Sequence, residues 1–283
     1  MPNDNYIIKT MNRDELGIAV EWAAVEGWNP GLYDTDTYYT ADPNGFLIGY
    51  LGDEPIATIS AVKYGSSFGF IGFYIVKPEY RGKGYGLKIW NAALEYLKGC
   101  NIALDGVVEQ QDNYRKSNFT FACRNVRYEG EGGGRDFTDS ALVDLSTVPF
   151  KTISSYSRAF FPEDRADFVQ AWINQPKAKA FGTVQNGELS GYGVLRPCRI
   201  GYKIGPLFAN NPQHARVLFQ ALRAEVPKSV PIFLDVPQLN ATAVTMAEGF
   251  DMRVSFETAR MYTGPAPELP WARTFGLTSF EIG

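Results

Sequence analysis

One strand–turn–helix stretch constrains this chain more than any other: Val76-Lys77-Pro78-Glu79-Tyr80-Arg81-Gly82-Lys83-Gly84-Tyr85-Gly86. It follows an apolar run over 68–76 and opens an amphipathic run over 87–98, where Leu87, Trp90, Leu94 and Leu97 share one helix face. Glycines at such a turn let the backbone approach a ligand with no Cβ in the way. The amides there point beyond the helix N-terminus, where the helix dipole favours an anion, and Arg81 and Lys83 add two cations. The expectation is a pyrophosphate cradle for a nucleotide-bearing cofactor. Two other phosphate loops do not fit. The dinucleotide fingerprint needs Gly-x-Gly-x-x-Gly and an acidic residue about 20 residues on. Here the third spacing is wrong, although Asp105 lies near that distance. The P-loop needs a hydroxyl residue after Gly-Lys, and Gly82-Lys83-Gly84 lacks it.

At 283 residues, 45% of them hydrophobic, the chain is long for one domain and comfortable for two. No apolar run of about 18 residues or more occurs, so no membrane span is expected. The start, Met1-Pro2-Asn3-Asp4-Asn5, has no signal-peptide pattern, and Cys100, Cys123 and Cys198 suit free thiols in a reducing compartment; the expectation is cytoplasmic. His214 is the sole histidine, so no multi-histidine metal site is expected, and a net charge of −4 offers no general attraction to nucleic acid.

Periodicity predicts strands over 6–11, 46–51, 55–64, 68–76, 102–107 and 119–128, and helices over 14–26, 33–40, 87–98 and 110–117. A polar glycine loop over 129–136, a strand over 141–145 and a linker after Pro149 follow. From about Thr152 the order repeats: helices over 162–174, 212–226 and 241–248, strands over 180–184, 191–195, 202–207, 232–236 and 256–262. Ile232-Phe233-Leu234-Asp235 echoes Ile102-Ala103-Leu104-Asp105, which suggests duplication, with units over 1–148 and 149–283. Where the glycine loop would recur, Leu207 to Ala215 has neither Gly-x-Gly nor an arginine in register. The second unit is expected to keep the fold and lack the pyrophosphate site.

Arg81-x-x-Gly84-x-Gly86, preceded in register by Val76-x-Pro78, resembles the signature with which the GNAT acetyltransferase superfamily holds the pyrophosphate of acetyl-CoA. The resemblance is good over residues 6 to about 128 and weaker from 152. It implies an α/β (α+β) fold of two GNAT-like units, each a splayed, mixed, mostly antiparallel sheet flanked by helices, with an active N-terminal unit and a degenerate C-terminal one. It implies acetyl-CoA contacts from Tyr74, Ile75 and Val76 on the strand, from Arg81, Gly82, Lys83, Gly84, Tyr85 and Gly86 in the loop, and from Asn113 and Lys116. Tyr114-x-x-x-Asn118-Phe119 resembles the family's Tyr-x-x-x-Gly-Phe segment, which makes Tyr114 the candidate general acid; a packing tyrosine is the competing reading. Asparagine tolerates the left-handed conformation glycine supplies there. The second unit has Thr245 at that position.

The carboxylate many family members carry on the strand before the loop is missing from 69–76, which leaves the base open among ordered water, Glu109, Asp112 and Glu21. Glu21, Trp28, Asn29 and Tyr33 combine carboxylate and aromatic groups suited to an amine, although core packing for Trp28 and a solvated face for Glu21 are equally open. No histidine in the first unit activates Cys100 or Cys123, so transfer is expected to be direct. The implied activity is acetyl-CoA-dependent acetylation of a primary amine, without a metal. A non-catalytic acyl-CoA sensor or scaffold is the alternative.

Overall fold

The computed structural model describes residues 5–134 and 137–283; Met1 to Asp4 and the end of the expected loop over 129–136 lie outside the described residues. The first half runs β1 (Tyr6–Thr10), α1 (Arg13–Val25), α2 (Asp34–Ala41), β2 (Phe46–Leu51), β3 (Glu54–Tyr64), β4 (Phe68–Val76), α3 (Tyr85–Tyr96), β5 (Asn101–Val107), α4 (Gln111–Arg115), β6 (Thr120–Glu131) and β7 (Leu142–Asp144). The second half runs α5 (Phe150–Ser157), α6 (Ala166–Ile173), β8 (Lys179–Gln185), β9 (Glu188–Pro197), β10 (Tyr202–Ala209), α7 (Pro212–Ala224), β11 (Pro231–Pro237), α8 (Ala241–Gly249), β12 (Arg253–Tyr262) and β13 (Thr274–Gly276). Local chemistry sets several boundaries. Asn12 and Glu15 form a reciprocal capping box that starts α1. The stretch after Pro149 is helix α5, not a linker: Lys151, Thr152 and Ser155 are exposed while Ile153 and Ser157 are buried.

The strands form one sheet, in the order β1-β2-β3-β4-β5-β12-β6-β11-β10-β9-β8-β7, with β13 added on β10. Only β4–β5 and β10–β11 pair in parallel. The halves exchange strands at the centre. β12 of the second half lies between β5 and β6, and β6 of the first half lies between β12 and β11. β6 runs past the predicted end, through Gly130, because β11 pairs with it up to Pro231↔Glu131.

Two buried ion pairs tie the exchanged strands to their new neighbours. Asp105 on β5 is bidentate to Arg260 on β12 (2.8 and 2.6 Å), and Asp235 on β11 is bidentate to Arg127 on β6 (2.6 and 2.8 Å). Around Asp235, burial is outweighed by Arg127 and then by Lys203 and Arg196, so its pKa is lowered.

Three apolar clusters hold the layers together. One packs α3 and α4 on the first half of the sheet through Ile89, Trp90 and Tyr114. A second packs α7 and α8 on the other half through Leu218, Phe219 and Met246. The third is shared: Leu16, Tyr38 and Phe73 meet Phe160, Trp172 and Phe208. Among the described residues no helix is long and apolar enough to cross a membrane.

Candidate active site

Pairing of β4 with β5 stops at Ile71↔Leu104, and beyond it the strands diverge. The divergence begins where β4 carries a bulge against β3: Ser60 faces Gly72, Thr58 faces Ile75, and Phe73 takes φ +47°. The Thr58 hydroxyl donates to the Phe73 carbonyl (2.9 Å), which holds the bulge in place. Past Ile71 the cleft side of β4 therefore has no strand partner. A cavity of about 620 Å³ fills the opening, walled by β4, β5, the start of α3, Tyr114 and residues of the second half.

The glycine loop closes one end of this cavity, with Arg81, Gly82, Gly84 and Gly86 on its wall. Gly82 and Gly84 have φ +73° and +85°, the left-handed region that side chains resist. Gly84 caps α3 with no side-chain hydrogen bond, so the first helical amides are open to a ligand. A Cβ on Gly86 would stand 2.7 Å from Tyr74 Oη and 3.1 Å from Val76 Cγ2, so α3 sits close against β4 there. Arg81 is pinned by Nε to the Val76 carbonyl (2.8 Å) and by Nη2 to Glu26 (2.5 Å). An uncapped helix start with a hydrogen-bonded guanidinium beside a cavity of this size fits a diphosphate joined to a longer chain.

Tyr114 projects from α4 into the cavity wall and stacks on Trp90, their centroids 5.6 Å apart. A Cβ on Gly106 would collide with its ring, so β5 passes directly beneath it. Burial, with Tyr74 adding to it, raises the Tyr114 pKa, so the hydroxyl keeps its proton at neutral pH. Asn118 adopts φ +65°, the left-handed conformation that asparagine tolerates.

The remaining sequence-derived candidates divide. Tyr74, Ile75, Val76 and Trp28 line the cavity. Lys83 lies over the Tyr80 ring, and Tyr85 is buried against Tyr6 and Tyr80. Asn113 and Lys116 bond each other on the exposed side of α4, away from the cavity wall. Glu21 is exposed and paired with Arg199; Asn29 is buried and ties down Ile200; neither these nor Tyr33 reaches the wall. Among the possible bases, Asp112 is paired with Arg115, and it and Glu109 lie off the wall.

Two family models match the chain: one described as the acetyltransferase (GNAT) family over residues 13–118, the other as an acetyltransferase (GNAT) domain over 153–276. The chain is a tandem GNAT protein. It is 28% identical to holothin acyltransferase from Pseudoalteromonas sp. (strain SANK 73390), over 97% of this chain and 94% of that one. It is 27% identical, over 59% of this chain and 60% of the relative, to an uncharacterised N-acetyltransferase of Bacillus subtilis (strain 168). Its fold matches a putative acetyltransferase from Pyrococcus horikoshii (TM-score 0.83, 21% identity, all of this chain and 98% of that one). It also matches a tandem GNAT protein from the clavulanic acid biosynthesis pathway (TM-score 0.62, 11% identity, 93% of this chain and 100% of that one). By family, this is an acyltransferase.

The GNAT signature located the loop, but part of the cavity wall lay outside its reach. Arg127, Phe256, Thr258, Phe280 and Glu281 line the cavity, the last four from the second half. No local motif marks them. The repeat of Asp105 at Asp235 was the one available signal, since each aspartate pairs with an arginine of the exchanged strand.

Proposed function

We propose that this GNAT protein transfers an acetyl group from acetyl-CoA to a primary amine, directly, at a single site in its first half. The open start of α3 beside the splayed β4–β5 cleft carries the reading. Acetyl-CoA would supply the thioester. The amides after Gly82 and the fixed Arg81 suit its diphosphate, and the unpaired side of β4 over residues 72–76 suits the acyl arm. Tyr114, buried and protonated, is within the same cavity as a proton donor for the departing thiolate. Burial raises the pKa of Cys100 and pushes Cys123 up to about 11, so neither is a ready nucleophile, which supports transfer without an acyl-enzyme. The likeness to holothin acyltransferase supports acyl transfer as the reaction class. Three free cysteines support a reducing compartment such as the cytoplasm.

The test is incubation of the purified chain with acetyl-CoA and a mixture of amines, read by mass spectrometry. A protein-dependent gain of one acetyl group is the expected result. Tight binding of coenzyme A with no acetylated product would make the chain a non-catalytic acyl-CoA binder, and no binding of coenzyme A would sink the proposal.

A further inference from the structure

The segment after β13 leaves the second half and runs across the first. A Cβ on Gly205 of β10 would lie 2.5 Å from the Leu277 carbonyl oxygen, and a Cβ on Gly72 of β4 would collide with the backbone of Glu281. Ser60 donates to the Glu281 carbonyl (3.2 Å) and Tyr64 to that of Ile282 (2.8 Å), so the segment is seated on β3 and β4. This puts Glu281 on the cavity wall beside the β4 bulge.

The charged groups of that wall are otherwise matched. Glu26 pairs with Arg81, Asp105 with Arg260, and Arg127 with Asp235. Glu281 is 3% exposed and, among the described residues, has no cation within ion-pair distance. Its Oε2 is engaged, by Ser279 Oγ at 2.6 Å and Tyr38 Oη at 3.1 Å; its Oε1 has no hydrogen-bond partner among the described residues. Phe280 and Phe256, 6.5 Å apart, stand on the same wall, as does Trp28.

Resting on the acetyltransferase reading above, we infer that Glu281 is the carboxylate that receives the acceptor's amino group, and that the acceptor is a primary amine on an apolar or aromatic body. Glu281 Oε1 accepts an N–H of the incoming ammonium and takes its proton. The neutral amine nitrogen then bonds the acyl carbon, the bond from that carbon to sulfur breaks, and Tyr114 gives its proton to the sulfur; the second proton shed by the nitrogen returns to the Tyr114 oxygen and the one on Glu281 passes to solvent, leaving a neutral amide and a free thiol. Burial alone would raise the Glu281 pKa, but Lys203 and Arg127, the Ser279 hydrogen bond and Arg196 outweigh it and keep the group ionised. Each of those cations contacts another acceptor rather than Glu281: Arg127 pairs with Asp235, Arg196 Nη1 with Asp34 (2.9 Å), and Lys203 with the Asn29 carbonyl (3.1 Å).

Calorimetry without coenzyme A compares benzylamine, phenethylamine, tryptamine and hexylamine with their alcohol counterparts. The wild type should prefer at least one ammonium to its alcohol by about tenfold or more, the range of a charge-assisted hydrogen bond. Glu281→Gln should bind coenzyme A within about twofold of wild type, lose that preference, and lose about a hundredfold or more in kcat/KM for acetylation of the preferred amine. Glu281→Asp should recover part of both. An ammonium preference and rate that survive in folded Glu281→Gln overturn the inference, as does a wild type with no preference for any amine. If Glu281→Gln fails to fold by circular dichroism, Glu281→Asp decides, and unchanged kcat/KM in that variant overturns the inference. Failure to bind coenzyme A at all strikes the acetyltransferase reading instead and leaves the amine preference measurable.

Discussion

The helices that join the strands of the two splayed pairs, α3 between β4 and β5 and α7 between β10 and β11, begin in opposite ways. In the first half, α3 starts at left-handed Gly84 with no side-chain cap. In the second, α7 starts at Asn211, whose side chain accepts from the His214 amide (2.9 Å), and Pro212 has no N–H to offer. The clefts differ in the same sense. β10 and β11 part after Ile204↔Leu234, as β4 and β5 part after Ile71↔Leu104. In the second half, however, β13 occupies the gap, pairing Gly276 with Leu207, and the Leu277 amide donates to the Asp235 carbonyl (2.8 Å). The first half leaves its helix start and strand edges unsatisfied; the second satisfies both from its own chain. Unmet backbone hydrogen bonding is thus what distinguishes the first half, where the ligand site is proposed, from the second.

The largest effect should come from the element the halves share. Arg127→Met and Arg260→Met each strand a buried aspartate, and each should lower unfolding free energy by about 3–5 kcal/mol in urea titration. A loss below about 1 kcal/mol in both would show that the strand exchange does not depend on the crossed pairs. Tyr114→Phe should lower kcat by about a hundredfold with coenzyme A affinity unchanged, whereas Thr245→Ala, at the matching exposed position of α8, should change neither. Unchanged turnover in Tyr114→Phe would remove it from the mechanism. Gly84→Val forces a β-branched residue to φ +85°; strain of about 1–3 kcal/mol translates into a roughly 5–150-fold weaker coenzyme A affinity by calorimetry. Its counterpart Asn211→Ala should cost about 1 kcal/mol of stability through the lost cap and leave that affinity alone.

Local signals made the elements readable. β4 falls on residues 68–76 as its apolar run predicts, and Asn118 takes the conformation its chemistry tolerates. Pairing between distant strands was not readable, because period-2 patterning says which face is buried and nothing about which neighbour lies alongside. The exchange of β6 and β12 joins residues such as Arg127 and Asp235, 108 positions apart. Helix α5 was hidden by its serines, although Phe150, Ile153 and Tyr156 recur at helical spacing. Glu281 was out of reach for a similar reason: no pattern in the strand before the loop points to a carboxylate that arrives beside it from 221 residues beyond Ser60.

The smallest expected effect is the sharpest test of the comparison. Replacing Asn210, Asn211 and Pro212 with glycine removes the cap and the proline and gives the second loop the backbone freedom of the first. If a glycine loop were sufficient, two molecules of coenzyme A should then bind per chain. We expect calorimetry to give one, with unchanged affinity, because the loop is only half of what closed the second cleft. β13 still fills the gap between β10 and β11, where a Cβ on Gly276 would already stand 2.7 Å from Leu234 Cδ1. A stoichiometry of two would mean that β13 yields to the ligand, and that the loop alone decides which half binds.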